Sequence, residues 1–176
     1  MLLVVAATER ELAFVNGVDT LCCGVGPVEA AARTAHALAT RWPDVLLHIG
    51  IAGARGVPPP TLVVGSESVY EDARGPLVPS RVLPPETLIA SVLEALPEAR
   101  FLPIGTSARV GGAAKCHVEA MEGFAVLRAA ELVGVRAIEV RAISNDVDEP
   151  DRSKWQFEEA FAALGEAVPK LVAALA

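Results

Sequence analysis

No run of apolar residues in this 176-residue chain approaches the roughly 20 needed to cross a bilayer, so a membrane-spanning helix is not expected. Basic clusters are missing as well. The 15 Lys and Arg are outnumbered by 22 Asp and Glu, and a net charge of −7 removes the electrostatic footprint that nucleic-acid binding needs and disfavours anionic membrane surfaces. Cysteine is scarce: Cys22 and Cys23 are adjacent and Cys116 is distant, which gives neither a disulfide framework nor metal-ligand spacing. The three read as reduced core residues, and no metal or cofactor is expected. Internal repeats, low-complexity tracts and long linkers are also absent, so one domain over 1–176 is expected, long enough to close a core. A small molecule remains as the default partner.

What is present is apolar content. A hydrophobic fraction of 52% and a mean hydropathy of +0.42 are high for a water-exposed chain and point to surface buried in a homo-oligomer, a dimer or larger. The opening Met1 to Ala7 is apolar, but no basic flank precedes it and the charged Thr8-Glu9-Arg10-Glu11 follows at once. It reads as a first strand rather than a secretory signal, and the expected location is the cytoplasm.

Val- and Leu-rich runs alternate with Ala-rich segments of helical period, the rhythm of an α/β layer protein. Strands are expected at Leu2 to Ala6, Asp19 to Cys23, Val45 to Ile49, Leu62 to Tyr70, Phe101 to Ile104 and Ala137 to Ser144. Helices are expected at Glu9 to Val15, Pro27 to Thr40, Glu86 to Leu96, Glu119 to Val133 and Ser153 to Ala176, the last kinked at Pro169. Gly50 to Ala54 and Ala73 to Pro85 read as loops. Pro27 suits a first helical turn after the tight Gly24-Val25-Gly26.

Several positions carry chemistry. Glu11 follows the first strand, where strand ends in open α/β sheets form ligand crevices; Thr8-x-x-Glu11 equally matches a capping box, in which Glu11 only reaches back to the Thr8 amide. Gly24-Val25-Gly26 begins like a dinucleotide fingerprint, but Glu29 stands at the third glycine position and would repel a pyrophosphate. Glu119 needs no role beyond complementing a helix dipole. Glu122 precedes Gly123-Phe124-Ala125, which indicates a packed helix end, and a partly buried carboxylate wants donors such as two ribose hydroxyls. Strand alternation places Arg141, Ile143 and Asn145 on one face, with Arg141 and Asn145 about 13 Å apart. Arg141 needs an anionic partner, for which Glu11 and Glu122 are candidates. A structural ion pair, with Asn145 as a turn residue, fits the same pattern.

Five segments in this order resemble the nucleoside phosphorylase and nucleosidase superfamily, and most its futalosine hydrolase branch: Ala6-Ala7-Thr8-Glu9-Arg10-Glu11, Gly24 to Ala31, Gly50-Ile51-Ala52-Gly53-Ala54, Val118 to Ala125, and Arg141-Ala142-Ile143-Ser144-Asn145, with Trp155 downstream. The resemblance implies a single-domain α/β three-layer sandwich with a central mixed β-sheet flanked by helices. It also implies hydrolysis of the N-glycosidic bond of a purine nucleoside, with Glu11 activating water, Arg141 helping to place it and Asn145 contacting purine N7. Glu122 would hold the ribose hydroxyls and Met121 would lie against the sugar, with Ile51, Gly53, Val110 and Trp155 completing the substrate contacts.

The chemistry agrees with these roles. Cleavage builds positive charge on the ribose and negative charge on the base, so carboxylates belong near the sugar and a hydrogen-bond donor near the base. Adenine-cleaving relatives carry an acid where Asn145 stands. An amide can instead donate to O6 and accept from a protonated N7, which favours hypoxanthine and hence futalosine. Ile51 replaces a hydroxyl-bearing residue and offers nothing to phosphate, which favours water. The chain is shorter than family members after Phe14 and between Gly105 and Val118, where Ala108, Arg109 and Val110 would stand in for the wall behind the base. Two alternatives stay open: a methylthioadenosine or adenosylhomocysteine nucleosidase, and a shortened relative that binds purines without cleaving them.

Overall fold

The computed structural model describes residues 1–113 and 115–176. Residue 114, within the shortened stretch 105–118, lies outside the described residues. Eight strands, β1 (Leu2–Ala6), β2 (Asp19–Cys22), β3 (Val45–Ala54), β4 (Leu62–Tyr70), β5 (Arg81–Val82), β6 (Arg100–Thr106), β7 (Val118–Ala120) and β8 (Arg136–Asp146), form one mixed sheet. Its order is β2-β1-β3-β7-β6-β4-β5, and β8 is inserted between β3 and β4. β8 runs parallel to β3 and antiparallel to β4, while β7 joins β3 to β6, so this part of the sheet closes on itself.

Alternation along the central strands divides the core into layers. Leu2, Val4 and Ala6 of β1, with Val45, Leu47 and Ile49 of β3, face the helices α1 (Glu9–Leu12), α3 (Glu86–Ala95) and α5 (Phe157–Leu175). Leu3, Val5 and Leu46 face α2 (Pro27–Leu38) and α4 (Gly123–Leu132). The expected helix–sheet–helix sandwich is thus the observed one. α5 buries Ala160, Phe161, Leu164, Ala167, Val168 and Leu171 at helical spacing, and it runs unbroken through Pro169, whose ring is exposed.

Several boundaries differ from those read in the sequence, and each difference moves a site residue. Gly50 to Ala54 is strand rather than loop, because β8 pairs along the whole of β3, with a bulge between Ala52 and Gly53. The helix expected from Glu119 begins only at Gly123, because Val118–Ala120 is claimed by pairing with β6 and β3; tertiary pairing overrides the local helical preference. The last helix begins at Phe157 instead of Ser153. Ahead of it Asp151 accepts from the Ser153 N–H (3.0 Å) and hydroxyl (2.7 Å), closing a short 3-10 turn, and Gln156 N–H donates to Ser144 C=O at 2.7 Å. The 73–85 loop contains β5, and the first helix ends at Leu12, not Val15. No helix among the described residues is long and apolar enough to cross a membrane.

Candidate active site

The carboxyl ends of the parallel strands β1, β3 and β8 open into a cavity of about 240 Å³. Nine residues singled out in the sequence line it: Glu11, Ile51 and Gly53, then Val110, Met121 and Glu122, then Arg141, Asn145 and Trp155; of the wall expected behind the base, Ala108 and Arg109 do not, and Arg109 lines a separate pocket.

Glu11 satisfies both readings of its segment. Its Oε2 accepts from the Thr8 amide at 3.0 Å and the Thr8 hydroxyl at 2.8 Å, which completes a capping box. Its Oε1 accepts from the Ile51 N–H at 3.1 Å, across from β3. The cap therefore fixes a buried carboxylate at the cavity wall instead of competing with a site role.

Glu122 stands at the N-cap position of α4, on the opposite side, and its side chain turns away from the helix. Gly26, held at a φ of +90° that glycine adopts without strain, points its N–H at Glu122 Oε1 (3.0 Å). Burial pushes the Glu122 carboxyl above its ordinary range, while Arg141 and the Gly26 amide pull it down. The same environment, burial first and then Glu122, pushes the Cys23 thiol up to about 12, and Cys22, Cys23 and Cys116 are all free thiols.

Arg141 is 1% exposed, and its principal partner is neither of the carboxylates expected. Its Nε donates to Glu139 Oε1 at 2.8 Å, whereas Glu122 Oε2 lies 3.6 Å from Nη2. Nη2 lies 2.6 Å from His48 Nε2, and Nη1 lies 3.5 Å from the Ile51 carbonyl. Burial alone would lower the guanidinium pKa, but Glu139, Glu122 and Glu11 together hold it above its ordinary value. Glu11 and Arg141 meet across bare backbone. A Cβ at Gly50 would sit 2.3 Å from Arg141 Nη1 and 2.7 Å from Glu11 Oε1.

At the other end of the cavity, Asn145 Oδ1 accepts from the Ser144 hydroxyl at 2.8 Å and Nδ2 donates to the Asp146 carbonyl at 3.0 Å. These bonds set the amide's orientation, and one Nδ2 hydrogen and one Oδ1 lone pair remain for a ligand. Gly53 gives it room, since a Cβ there would lie 3.0 Å from Asn145 Nδ2. Ile143, predicted on the same face, belongs to the core, because the bulge opposite Ser144 turns Ser144 and Asn145 toward the cavity. Trp155 is anchored by its indole N–H to the Glu149 carbonyl (3.1 Å) and tilts against Phe157.

Sequence reasoning missed four polar residues. Glu119 is not a helix-dipole partner: from β7 its two carboxylate oxygens accept from the N–H groups of Gly111 and Ala113, both at 2.5 Å, and so secure the shortened segment that carries Val110. Glu139 was legible, since it shares strand parity with Arg141. His48 and Ser68 sit within apolar strands and carry no local signal. Among the described residues no group of three His, Cys, Asp or Glu side chains is arranged to hold a metal ion.

Comparison with known proteins agrees with this architecture. Residues 16–103 match the sequence model of the phosphorylase superfamily. Futalosine hydrolase from Streptomyces coelicolor is 36% identical over 189 residues, spanning 91% of this chain and 80% of that protein. The futalosine hydrolase of Acidothermus cellulolyticus is 33% identical, spanning 85% and 75%. Among solved structures, the 5′-methylthioadenosine/S-adenosylhomocysteine nucleosidase of Colwellia psychrerythraea in complex with adenine superimposes with a TM-score of 0.84 at 17% identity, over 99% of this chain and 95% of that one. Futalosine hydrolase of Helicobacter pylori gives a TM-score of 0.84 at 16% identity, over 98% and 96%. The structural likeness fixes the fold, the sequence likeness spans most of the chain, and the chain therefore belongs to the phosphorylase superfamily and, within it, to the futalosine hydrolase family.

Proposed function

We propose that the chain hydrolyses the N-glycosidic bond of a purine nucleoside, with futalosine as the substrate and hypoxanthine as the released base, a step toward menaquinone. The observation that carries the reading is that two carboxylates and a carboxamide share one cavity, with a buried guanidinium between them. Water attached to Glu11 gives up a proton to it and bonds to C1′ as the bond from C1′ to the purine breaks; the departing base takes a proton from solvent on its imidazole ring, and Glu11 returns its own to solvent. The positive charge that builds on the sugar falls beside Glu11 and Glu122, where it is stabilised more than in the ground state. Three carboxylates, Glu11, Glu122 and Glu139, surround the single Arg141, so the cavity repels phosphate and admits neutral water.

In this reading Glu122 binds the ribose hydroxyls, Met121 packs on the sugar, and Ile51 and Gly53 form the floor. Val110 backs the base and Trp155 covers it. Asn145 faces O6 and N7. The cavity is below the usual ~300–1,000 Å³ of ligand pockets, which suits base and sugar and leaves the 5′ substituent at the rim. We further propose a cytoplasmic homo-oligomer, supported by Val28 and Leu132, which are 80% and 68% exposed on α2 and α4.

The test is incubation of purified protein with futalosine or 5′-methylthioadenosine, without phosphate, and chromatography of the free base. Hypoxanthine from futalosine is expected. Adenine release alone, or no release from either, overturns the proposal.

A further inference from the structure

Beneath the cavity lies a second tier of polar groups that no substrate reaches. Glu139 is fully buried on β8, in register with His48 of β3, two residue pairs below Gly50 and Arg141. Its Oε1 accepts from Arg141 Nε, and its Oε2 accepts from the Ser68 hydroxyl. The carboxylate also presses into the start of α4, where a Cβ at Gly123 would fall 2.1 Å from Oε2, so the amide end of the helix supports the negative charge.

His48 holds Arg141 from the other edge. Its Nδ1 lies 3.0 Å from the Val5 carbonyl, which can only accept, so the proton sits on Nδ1 and Nε2 is bare toward Arg141 Nη2. Burial and the charge of Arg141 keep this imidazole neutral. A planar guanidinium gripped at Nε and at Nη2 cannot rotate. Its remaining corner, Nη1, is thereby aimed at the gap over Gly50, opposite Glu11 Oε1.

We propose that Glu139, buttressed by Ser68 and working with His48, is a positioning residue for hydrolysis: it aims Arg141 Nη1 at the nucleophile's place beside Glu11 and keeps the guanidinium from closing on Glu122. The inference rests on the hydrolytic reading of the cavity. Loss of the Glu139 charge leaves Glu122, now 3.6 Å away, as the nearest carboxylate for Arg141. The guanidinium then turns from Glu11 and occupies the group that binds the sugar.

The test is a double-mutant cycle on purine release. Glu139→Gln should lower kcat by about 100-fold, the scale of a misaimed catalytic group, and raise KM; in an Arg141→Gln background the same change should cost less than about twofold, because non-additivity marks groups that act as one. A structural role would lower the amount of folded enzyme and give additive losses in both backgrounds. Should Glu139→Gln not fold, the cycle is run with Ser68→Ala, which keeps every charge and should lower kcat severalfold without a change in thermal midpoint. Additive losses, or kinetics indistinguishable from the unmutated enzyme, overturn the inference. If the unmutated enzyme cleaves no nucleoside, the functional reading fails, and the grip on Arg141 is read separately from its Nε–H signal in nitrogen-edited NMR. A slowly exchanging Nε–H lost in Ser68→Ala supports the grip, and one unchanged in that variant overturns it.

Discussion

The bare backbone at Gly50 offers a measurement that separates catalytic geometry from stability. A methyl group there, in Gly50→Ala, would stand 2.3 Å from Arg141 Nη1, 3.3 Å from its Cζ and 2.7 Å from Glu11 Oε1. These are ends of side chains rather than backbone, so the sheet need not move although the grip on the guanidinium must yield, and the cost to folding should be that of moderate overpacking, about 1–3 kcal/mol. At about 2–4 °C per kcal/mol for a chain of this length, the thermal midpoint should fall by less than about 12 °C. The site has less latitude. Arg141 is tied to Glu139 and His48, Glu11 to Thr8 and Ile51, and a methyl group fills the gap between the two. A displacement of about 1 Å is worth about 100-fold in rate, or about 2.7 kcal/mol of activation free energy. The assay is hypoxanthine release from futalosine by chromatography, beside thermal unfolding of the same preparation. Folded Gly50→Ala with turnover near that of the unmutated enzyme would show that the space over Gly50 is not where water is activated.

Other expected outcomes follow from single contacts. Glu11→Gln keeps a capping side chain but removes the base, so turnover should fall by about 100-fold or more while nucleoside binding persists; unchanged turnover would reduce Glu11 to a helix cap. Asn145→Asp should shift the released base from hypoxanthine toward adenine, and a competition assay in which the base preference is unchanged from the unmutated enzyme would remove the amide argument. His48, held neutral in the fold, refuses a proton that the unfolded chain takes up below its ordinary value of 6.5. Its contribution to stability is complete above pH 6.5 and falls as the pH drops, by about 1.4 kcal/mol per pH unit for one proton. Glu122, raised by burial, acts in the opposite sense as the pH rises from 4.5. Denaturant melts of His48→Gln against the unmutated protein should therefore show a shallower loss on acidification in the variant; parallel curves would refute a neutral buried imidazole.

The sheet and its flanking helices were legible from local alternation, and Glu11, Arg141 and Asn145 from strand-end placement and strand parity; Ile51, Gly53, Val110, Met121 and Trp155 came only through the resemblance of whole segments to a family. What escaped notice depends on pairing between distant segments. Val118-Glu119-Ala120 has helical preference and is a strand only because β3 and β6 lie on either side of it. His48 looks like an interruption in an apolar strand until β8 is set beside it in register, which brings Glu139 opposite. Of the partners of Arg141, Glu122 was anticipated and the closer Glu139 was not: the polar face was counted forward from residue 141, although the same alternation, taken one step back, reaches Glu139.

The floor of the cavity, from Ile51 through Gly53, is a stretch of β3 paired along its length with β8 and, at Gly53, with β7. The path of that backbone is dictated by hydrogen-bond register, while a side chain added at Gly50 or Gly53 would intrude on Arg141, Glu11 or Asn145. Drift that spares those glycines can reshape the wall at Val110 and Trp155, so changes in the heterocycle accepted should leave Glu11 and Arg141 untouched, and attempts to retarget the enzyme to another base belong at that border.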